Sequence, residues 1–223
     1  MFIKVNGIDL FYKKAGNGKP FILLHGNGEN HEIFNGLIDK LVEDYTVYAI
    51  DSRGHGKSSK VDKIGYGDMM QDVAAFIMES GLEKPVLLGF SDGAILGLLL
   101  ASQYPNMLSS LISCGANTHP DQLKKWFIAL AKFGYFSTKD PKMKMMYTEP
   151  NISKDELAKI RVPALIVAGS RDILPERYTK EIAKSIPNSE CLILHGETHS
   201  SYIKHSEKIY KVLTPFLSKS PVY

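Results

Sequence analysis

Short apolar runs alternate along the chain with stretches in which apolar residues recur at helical spacing. The run at 20–24 is continuously apolar, which is typical of a strand covered on both faces. Asn6-Gly7 separates the first two runs, and this dipeptide between alternating apolar residues predicts a hairpin. A hairpin followed by repeated β–α units predicts a mostly parallel sheet with helices on both faces. The predicted strands are 2–5, 10–12, 20–24, 45–50, 85–88, 108–114, 162–168 and 190–194, and the predicted helices are 31–43, 68–80, 94–104, 176–185 and 201–217.

The segment 118–155 interrupts this alternation. An aromatic-rich stretch around Trp126 predicts one amphipathic helix. A segment rich in methionine and lysine follows at 142–147, and we expect it to be irregular. The chain is therefore expected to form a core from 1–117 and 156–223, with a small insertion at 118–155.

Length and composition narrow the class of protein. A chain of 223 residues with 44% hydrophobic and 23% charged residues can form one domain with a full core. The net charge of +3 is too small to indicate a nucleic-acid partner. No apolar run reaches the roughly 18–20 residues of a membrane span, and the first residues do not resemble a signal peptide. Cys114 and Cys191 lie in apolar runs, so we expect buried, reduced thiols, a cytoplasmic protein and no metal site.

Ser91 lies between Gly89 and Gly93, directly after a predicted strand and before a predicted helix. A serine between two glycines at such a turn predicts a nucleophile elbow. The turn is tight, so the flanking positions must lack a Cβ, and the serine hydroxyl is lifted out of the sheet. The N–H groups at the start of the helix favour negative charge that develops at the same place. The alternative is an ordinary glycine-rich turn with a surface serine.

Two further residues with acid–base chemistry follow later strands. Asp172 comes shortly after the strand at 162–168, and His199 comes shortly after the strand at 190–194. Ligands of parallel sheets bind beyond the carboxyl ends of the strands, so these side chains are expected to meet there. The order Ser91, Asp172, His199 is the order of nucleophile, acid and base in one fold. On these residues the sequence resembles the α/β-hydrolase-fold serine hydrolases over essentially its whole length.

Three more segments carry the same resemblance. His25-Gly26-Asn27-Gly28 resembles the family's oxyanion loop, residues 51–58 resemble its D-x-R-G-x-G-x-S loop, and residues 169–172 resemble its G-x-x-D acid loop. The resemblance implies an α/β-hydrolase fold with an eight-stranded, mostly parallel sheet and a small helical cap at 118–155. It implies no cofactor.

The resemblance also assigns roles. Ser91 is the nucleophile, His199 takes and returns its proton, and Asp172 holds the imidazole in the required tautomer. The backbone N–H groups of Asn27 and Asp92 are expected to form the oxyanion hole. Two sets of alternatives stay open: Asp121 for the acid and, for the base, His25, His31, His55, His119, His195 and His205.

Substrate preference depends on two features. Asp92 follows the nucleophile, where many relatives have an uncharged residue, and Ser-Asp-Gly resembles the valacyclovir-hydrolase-like branch, which cleaves α-amino-acid esters. Its carboxylate either recognises a substrate ammonium or only favours the helix dipole. Trp126, Phe127 and Met146 of the cap either line the substrate site or pack the cap onto the core.

The expected function is hydrolysis of a small to medium carboxylic ester through an acyl-serine intermediate. The same triad is compatible with cleavage of a C–C bond, an amide or an aminoacyl ester, or with peracid formation. A small-molecule receptor with low turnover is the alternative from another class. The expected partner is a small-molecule substrate. The sequence carries no signal for a particular oligomeric state.

Overall fold

A computed structural model describes residues 1–219 around one sheet of eight strands. The strands are β1 (Phe2–Val5), β2 (Ile8–Ala15), β3 (Lys19–Leu24), β4 (Tyr45–Ile50), β5 (Val86–Phe90), β6 (Ser110–Cys114), β7 (Ala164–Gly169) and β8 (Ser189–Leu194). Their order is β1-β2-β4-β3-β5-β6-β7-β8. The β1–β2 and β2–β4 pairs are antiparallel, and every other pair is parallel. This confirms the predicted α/β-hydrolase fold.

Eight α-helices are described in residues 1–219, and they cover both faces of the sheet. They are α1 (Asn35–Leu41), α2 (Tyr66–Glu79), α3 (Asp92–Gln103), α4 (Lys125–Thr138), α5 (Pro141–Thr148), α6 (Lys154–Leu157), α7 (Glu176–Ser185) and α8 (Lys208–Leu217). None of the helices in this range is long and apolar enough to cross a membrane.

The alternation of side chains along β3 shows why its run is apolar throughout. Ile22 and Leu24 join the core layer beneath α2, α3 and α7, whereas Phe21 and Leu23 join the layer beneath α1 and α8. All four side chains are fully buried. A parallel strand covered on both faces needs apolar residues at every position, and this two-sided burial holds the strand ends in place.

Three predicted elements differ from the structure. The helix expected at 31–43 begins as a 3₁₀ turn before α1, and the helix expected at 201–217 is helical only from Lys208. The segment at 142–147 is not irregular but belongs to α5. Pro141 occupies the first helical position, and the Asp140 carboxylate accepts a hydrogen bond from Lys142 N at 2.9 Å. These two residues start a helix that the composition alone did not indicate.

The expectation of two buried cysteines was wrong for Cys191. Cys114 is buried in the central strand β6, but Cys191 is exposed. Cys191 lies in β8, the last strand of the sheet, where apolar sequence does not guarantee cover on both sides. The insertion at 118–155 contains α4 and α5, and its proposed end falls inside α6.

Candidate active site

The turn between β5 and α3 places Ser91 in a strained conformation. Ser91 has φ 53° and ψ −113°, and its N–H donates to Cys114 O at 2.8 Å. A Cβ at Gly89 would overlap the backbone of Gly93, and a Cβ at Gly93 would overlap Leu24 O. Both glycines are therefore required by close backbone approach, and the serine is held above the carboxyl end of the sheet.

Ser91, His199 and Asp172 form a chain of hydrogen bonds. His199 Nε2 is 3.1 Å from Ser91 Oγ, and His199 Nδ1 is 2.7 Å from Asp172 Oδ1. Asp172 is 2% exposed. In the tautomer that carries hydrogen on His199 Nδ1, this N–H donates to Asp172 Oδ1 and Nε2 is an acceptor that faces the Ser91 hydroxyl.

Two residues that were not identified from the sequence support the hydrogen bonds between Ser91, His199 and Asp172. Lys124 Nζ donates to Asp172 O at 2.6 Å and so attaches the start of the cap to the acid loop. Gly115 has φ +71°, and a Cβ there would lie 2.9 Å from Cε1 of His199. A glycine just after a strand was the available signal for Gly115, since the imidazole needs that space.

Within residues 1–219 the competing histidines lie outside this chain of hydrogen bonds. His25 donates from Nδ1 to Gly26 O at 2.8 Å and accepts from Ser52 N at 3.0 Å, so its ring is neutral. Burial lowers the pKa of His25 to about 4. His31 contacts the Asp51 carboxylate at 2.8 Å. Four further histidines have no hydrogen bond to the Ser91 or Asp172 side chain within residues 1–219: His55, His119, His195 and His205.

Asp121, the alternative acid, also lies outside the hydrogen bonds that join Ser91, His199 and Asp172. The Asp121 side chain is 91% exposed and contacts His119.

Arg53 forms a bidentate pair with Asp72, with Nε 2.5 Å from Oδ2 and a second nitrogen 2.6 Å from Oδ1. Arg53 therefore anchors its own loop to α2. No group of three or more potential ligand side chains is arranged to hold a metal among the residues described.

Asn27 and Ser91 line the same cavity, and Asp92 is the residue that follows Ser91. Within residues 1–219 neither the backbone N–H of Asn27 nor that of Asp92 has an acceptor in the protein. Gly93 N donates to His25 O at 3.1 Å, which ties the loop of Asn27 to the start of α3. Gly26 faces the serine, and a Cβ there would lie 3.1 Å from Ser91 Cβ. Two free donors held beside the serine are suited to bind an oxyanion.

The Asp92 carboxylate is buried and satisfied by protein groups. Tyr66 OH donates to Oδ1 at 2.8 Å, and Asn27 Nδ2 donates to Oδ2 at 3.0 Å. Asn27 Nδ2 also lies 3.3 Å from Lys142 O in the cap. Burial raises the pKa of Asp92 to about 6, although the two hydrogen bonds act in the opposite direction. Tyr66 was not identified from the sequence, because its partner is distant along the chain.

A cavity of about 500 Å³ lies over Ser91 and His199, between the core and the cap. Phe127 and Met146 line it, which agrees with the first of the two alternatives given for them, whereas Trp126 is not among its lining residues. Trp126 is 59% exposed on the outer side of α4. The other apolar residues of the cavity wall include Phe90, Leu130, Phe133 and Met143. The polar rim of the cavity includes the ion pair between Glu29 and Lys204.

The family follows from a direct comparison. Residues 19–143 match the model of a family described as the alpha/beta hydrolase fold. The chain belongs to this family. It is 26% identical to serine hydrolase BPHL of Homo sapiens over 96% of this chain and 85% of that protein. It is 22% identical to the pimeloyl-acyl-carrier-protein methyl ester esterase of Aliivibrio fischeri, over 94% and 98% of the two chains.

Solved structures give the same fold. An enol-lactonase from Burkholderia xenovorans superposes with a TM-score of 0.83 at 19% identity, covering 98% of this chain and all of the other. A thermophilic esterase from Thermogutta terrifontis has a TM-score of 0.81 at 20% identity, covering 99% and 97%. The chain belongs to this family, and the relatives that it matches include a serine hydrolase and esterases. We therefore conclude that it is an enzyme.

Proposed function

We propose that this α/β hydrolase cleaves carboxylic esters with an apolar acyl group through an acyl-Ser91 intermediate. The observation that carries the proposal is the hydrogen-bonded chain of Ser91, His199 and buried Asp172, in which Ser91 and His199 line a mainly apolar cavity. Such a chain activates a serine that is a poor nucleophile by itself.

The geometry supports a reaction in two halves. His199 Nε2 takes the proton of Ser91 Oγ as the oxygen attacks the ester carbonyl, and the imidazolium then protonates the departing alcohol. Water attacks the acyl-enzyme with His199 again as base, and the imidazolium returns the proton to Ser91 Oγ as the bond to the acyl group breaks and the carboxylic acid leaves. The N–H groups of Asn27 and Asp92 stabilise the oxyanion in both halves.

The cavity indicates the substrate class. Phe127, Met143 and Met146 surround the space next to the serine. A volume of about 500 Å³ accommodates small to medium acyl groups, and unbranched methionine side chains adapt to different apolar shapes.

An aminoacyl ester is disfavoured by the position of Asp92. Its carboxylate is 4% exposed, and both oxygens accept hydrogen bonds from Tyr66 and Asn27. A substrate ammonium would have to replace these partners. We therefore propose that the Asp92 side chain supports the oxyanion loop and that its role in ammonium recognition is minor.

The test is kcat/KM for a series of activated esters from acetyl to decanoyl, with alanyl and phenylalanyl esters included. Ser91→Ala is expected to lower kcat/KM by about 10⁴-fold or more. Ser137→Ala, which removes an exposed hydroxyl on the cap, is the matched control and is expected to retain full activity. Full activity of Ser91→Ala would refute the acyl-serine proposal.

Two further outcomes separate the alternatives. Absence of turnover on every ester would favour C–C cleavage, or a receptor that releases one bound acyl group over hours. If the native chain prefers alanyl over acetyl esters and Asp92→Asn abolishes this preference, the result would support recognition of a substrate ammonium by Asp92.

A further inference from the structure

Helix α4 turns an apolar face away from the rest of the protein. Trp126, Leu130, Phe133 and Phe136 are 59%, 60%, 69% and 75% exposed. At the angular step of an α-helix these four positions fall within a sector of roughly 120°. Large apolar side chains that are collected on one face, and are not scattered singly, mark an interaction surface.

A row of lysines borders this face. Lys125 and Lys132 are seven residues apart, so they lie along one edge of the helix, and Lys139 follows the last helical residue. The ammonium of Lys139 lies 4.8 Å from the centre of the Phe136 ring, beside the apolar face. Helix α4 contains no aspartate or glutamate, and Asp140 beyond it is paired with Lys142 at 3.0 Å.

We infer that this face of α4 docks the protein onto an anionic lipid surface, with the aromatic side chains in the interface and the lysines at the lipid headgroups. Trp, Phe and Leu on one side of a helix with lysines at its border are the composition of helices that lie in a membrane interface. Such a helix lies on the bilayer and does not span it.

The charge of the face argues against a second copy of this chain as the occupant. A symmetric dimer places the same surface on both sides of the contact, so two lysine rows would meet. Like charges that face each other across an interface disfavour the complex. An anionic bilayer matches the lysines and also accepts the aromatic side chains.

The docking face is continuous with the cavity over Ser91. Leu130 and Phe133 belong to both the face and the cavity wall. Docking therefore brings the cavity entrance to the lipid surface. The inference about docking does not depend on the proposed esterase activity, and it is tested without a substrate.

The experiment uses Trp126, which is the only tryptophan of the chain. The full chain is titrated with vesicles of phosphatidylcholine alone or rich in phosphatidylglycerol, and Trp126 emission and vesicle flotation are recorded. We expect a blue shift of the emission and binding that is roughly tenfold or more tighter to the anionic vesicles.

Variants separate the two parts of the face. Lys125→Glu with Lys132→Glu is expected to weaken anionic binding by about tenfold or more. Lys184→Glu with Lys211→Glu makes the same change in net charge on α7 and α8 and is expected to leave binding unchanged. Phe136→Ser is expected to weaken binding, whereas Met78→Ser, at a 61% exposed position on α2, is not.

Three results would overturn the inference. The first is the absence of binding, or equal binding, to the two kinds of vesicle by the native chain. The second is a concentration-dependent dimer whose Trp126 emission is already blue-shifted without lipid. The third is equal weakening by both lysine pairs, which would indicate a response to net charge only.

Discussion

Replacing Asp92 by asparagine is expected to change how stability depends on pH. The folded protein buries this carboxylate, and its pKa is about 6 compared with an ordinary value of 3.8. The folded state therefore binds the Asp92 proton more tightly than the unfolded state does. The contribution to stability is fully present below pH 3.8 and is lost as the pH rises through about 6.

The size of the effect follows from the two pKa values. A rise from 3.8 to about 6 is close to two units, and each unit corresponds to roughly 1.4 kcal/mol, so ionisation of Asp92 lowers the stability by about 3 kcal/mol. The amide of Asp92→Asn does not ionise. Its NH₂ group takes the place of one acceptor oxygen, so the hydrogen bond from Asn27 or from Tyr66 is lost or reversed, and this changes stability by an amount that does not vary with pH.

The assay is urea unfolding of the native chain and Asp92→Asn across the range from about pH 4 to pH 7.5, where the two pKa values place the change. The stability of the variant relative to the native chain is expected to rise by about 2.5 kcal/mol over this range, because part of the full effect already occurs below pH 4. Tyr66→Phe is expected to move the native transition to higher pH, because the Tyr66 hydrogen bond lowers the pKa of Asp92. Asp121→Asn, at an exposed carboxylate, measures the effect of an ordinary surface substitution.

Parallel stability curves for the native chain and Asp92→Asn would refute this reasoning. They would mean that Asp92 ionises equally well in the folded and unfolded states and that its burial has no electrostatic consequence. Should the variant be too unstable to measure, an unchanged transition in Tyr66→Phe would refute the reasoning independently.

Two other predictions concern the elbow and the cysteines. Gly93→Ala is expected to prevent folding or to abolish activity, since its Cβ would overlap Leu24 O, and circular dichroism with an ester assay measures both effects; a folded and fully active variant would contradict the close approach. Under native conditions an uncharged alkylating reagent is expected to modify exposed Cys191 but not Cys114, whose thiol pKa is raised by burial. Peptide mass spectrometry identifies the site, and rapid labelling of both thiols would show that the β6 region opens.

Most strands and turns could be predicted from the sequence because each depends on the residues next to it along the chain. The continuous run of β3, the glycines around Ser91 and the Asn6-Gly7 turn each depend on a few neighbouring residues. The parallel arrangement then brings the ends of β5, β7 and β8 to one edge. This is why Asp172 and His199 could be proposed as partners of the serine from their order alone.

The features that could not be predicted from the sequence depend on contacts between segments that are distant along the chain. Tyr66 and Asp92 meet only after α2 and α3 pack together, so the burial of the carboxylate was not readable. Cys191 lies in an apolar run, but its exposure depends on β8 being an edge strand. The position of Trp126 depends on which side of α4 faces α5, since periodicity identifies an apolar face without naming its partner.

The contacts of the cap explain why α4 keeps an apolar face outward. Lys124, just before α4, is bonded to Asp172 O through Nζ and to Ile173 O through its N–H. The other end of the cap is held by Asn27 at Lys142 O and by Tyr66 N at the Glu149 carboxylate. The loops that carry Asp172 and Asn27, together with the start of α2, therefore hold both ends of the cap. This leaves the outer side of α4 unused by the core, so its aromatic side chains are available to a partner without disturbing the hydrogen bonds around Ser91.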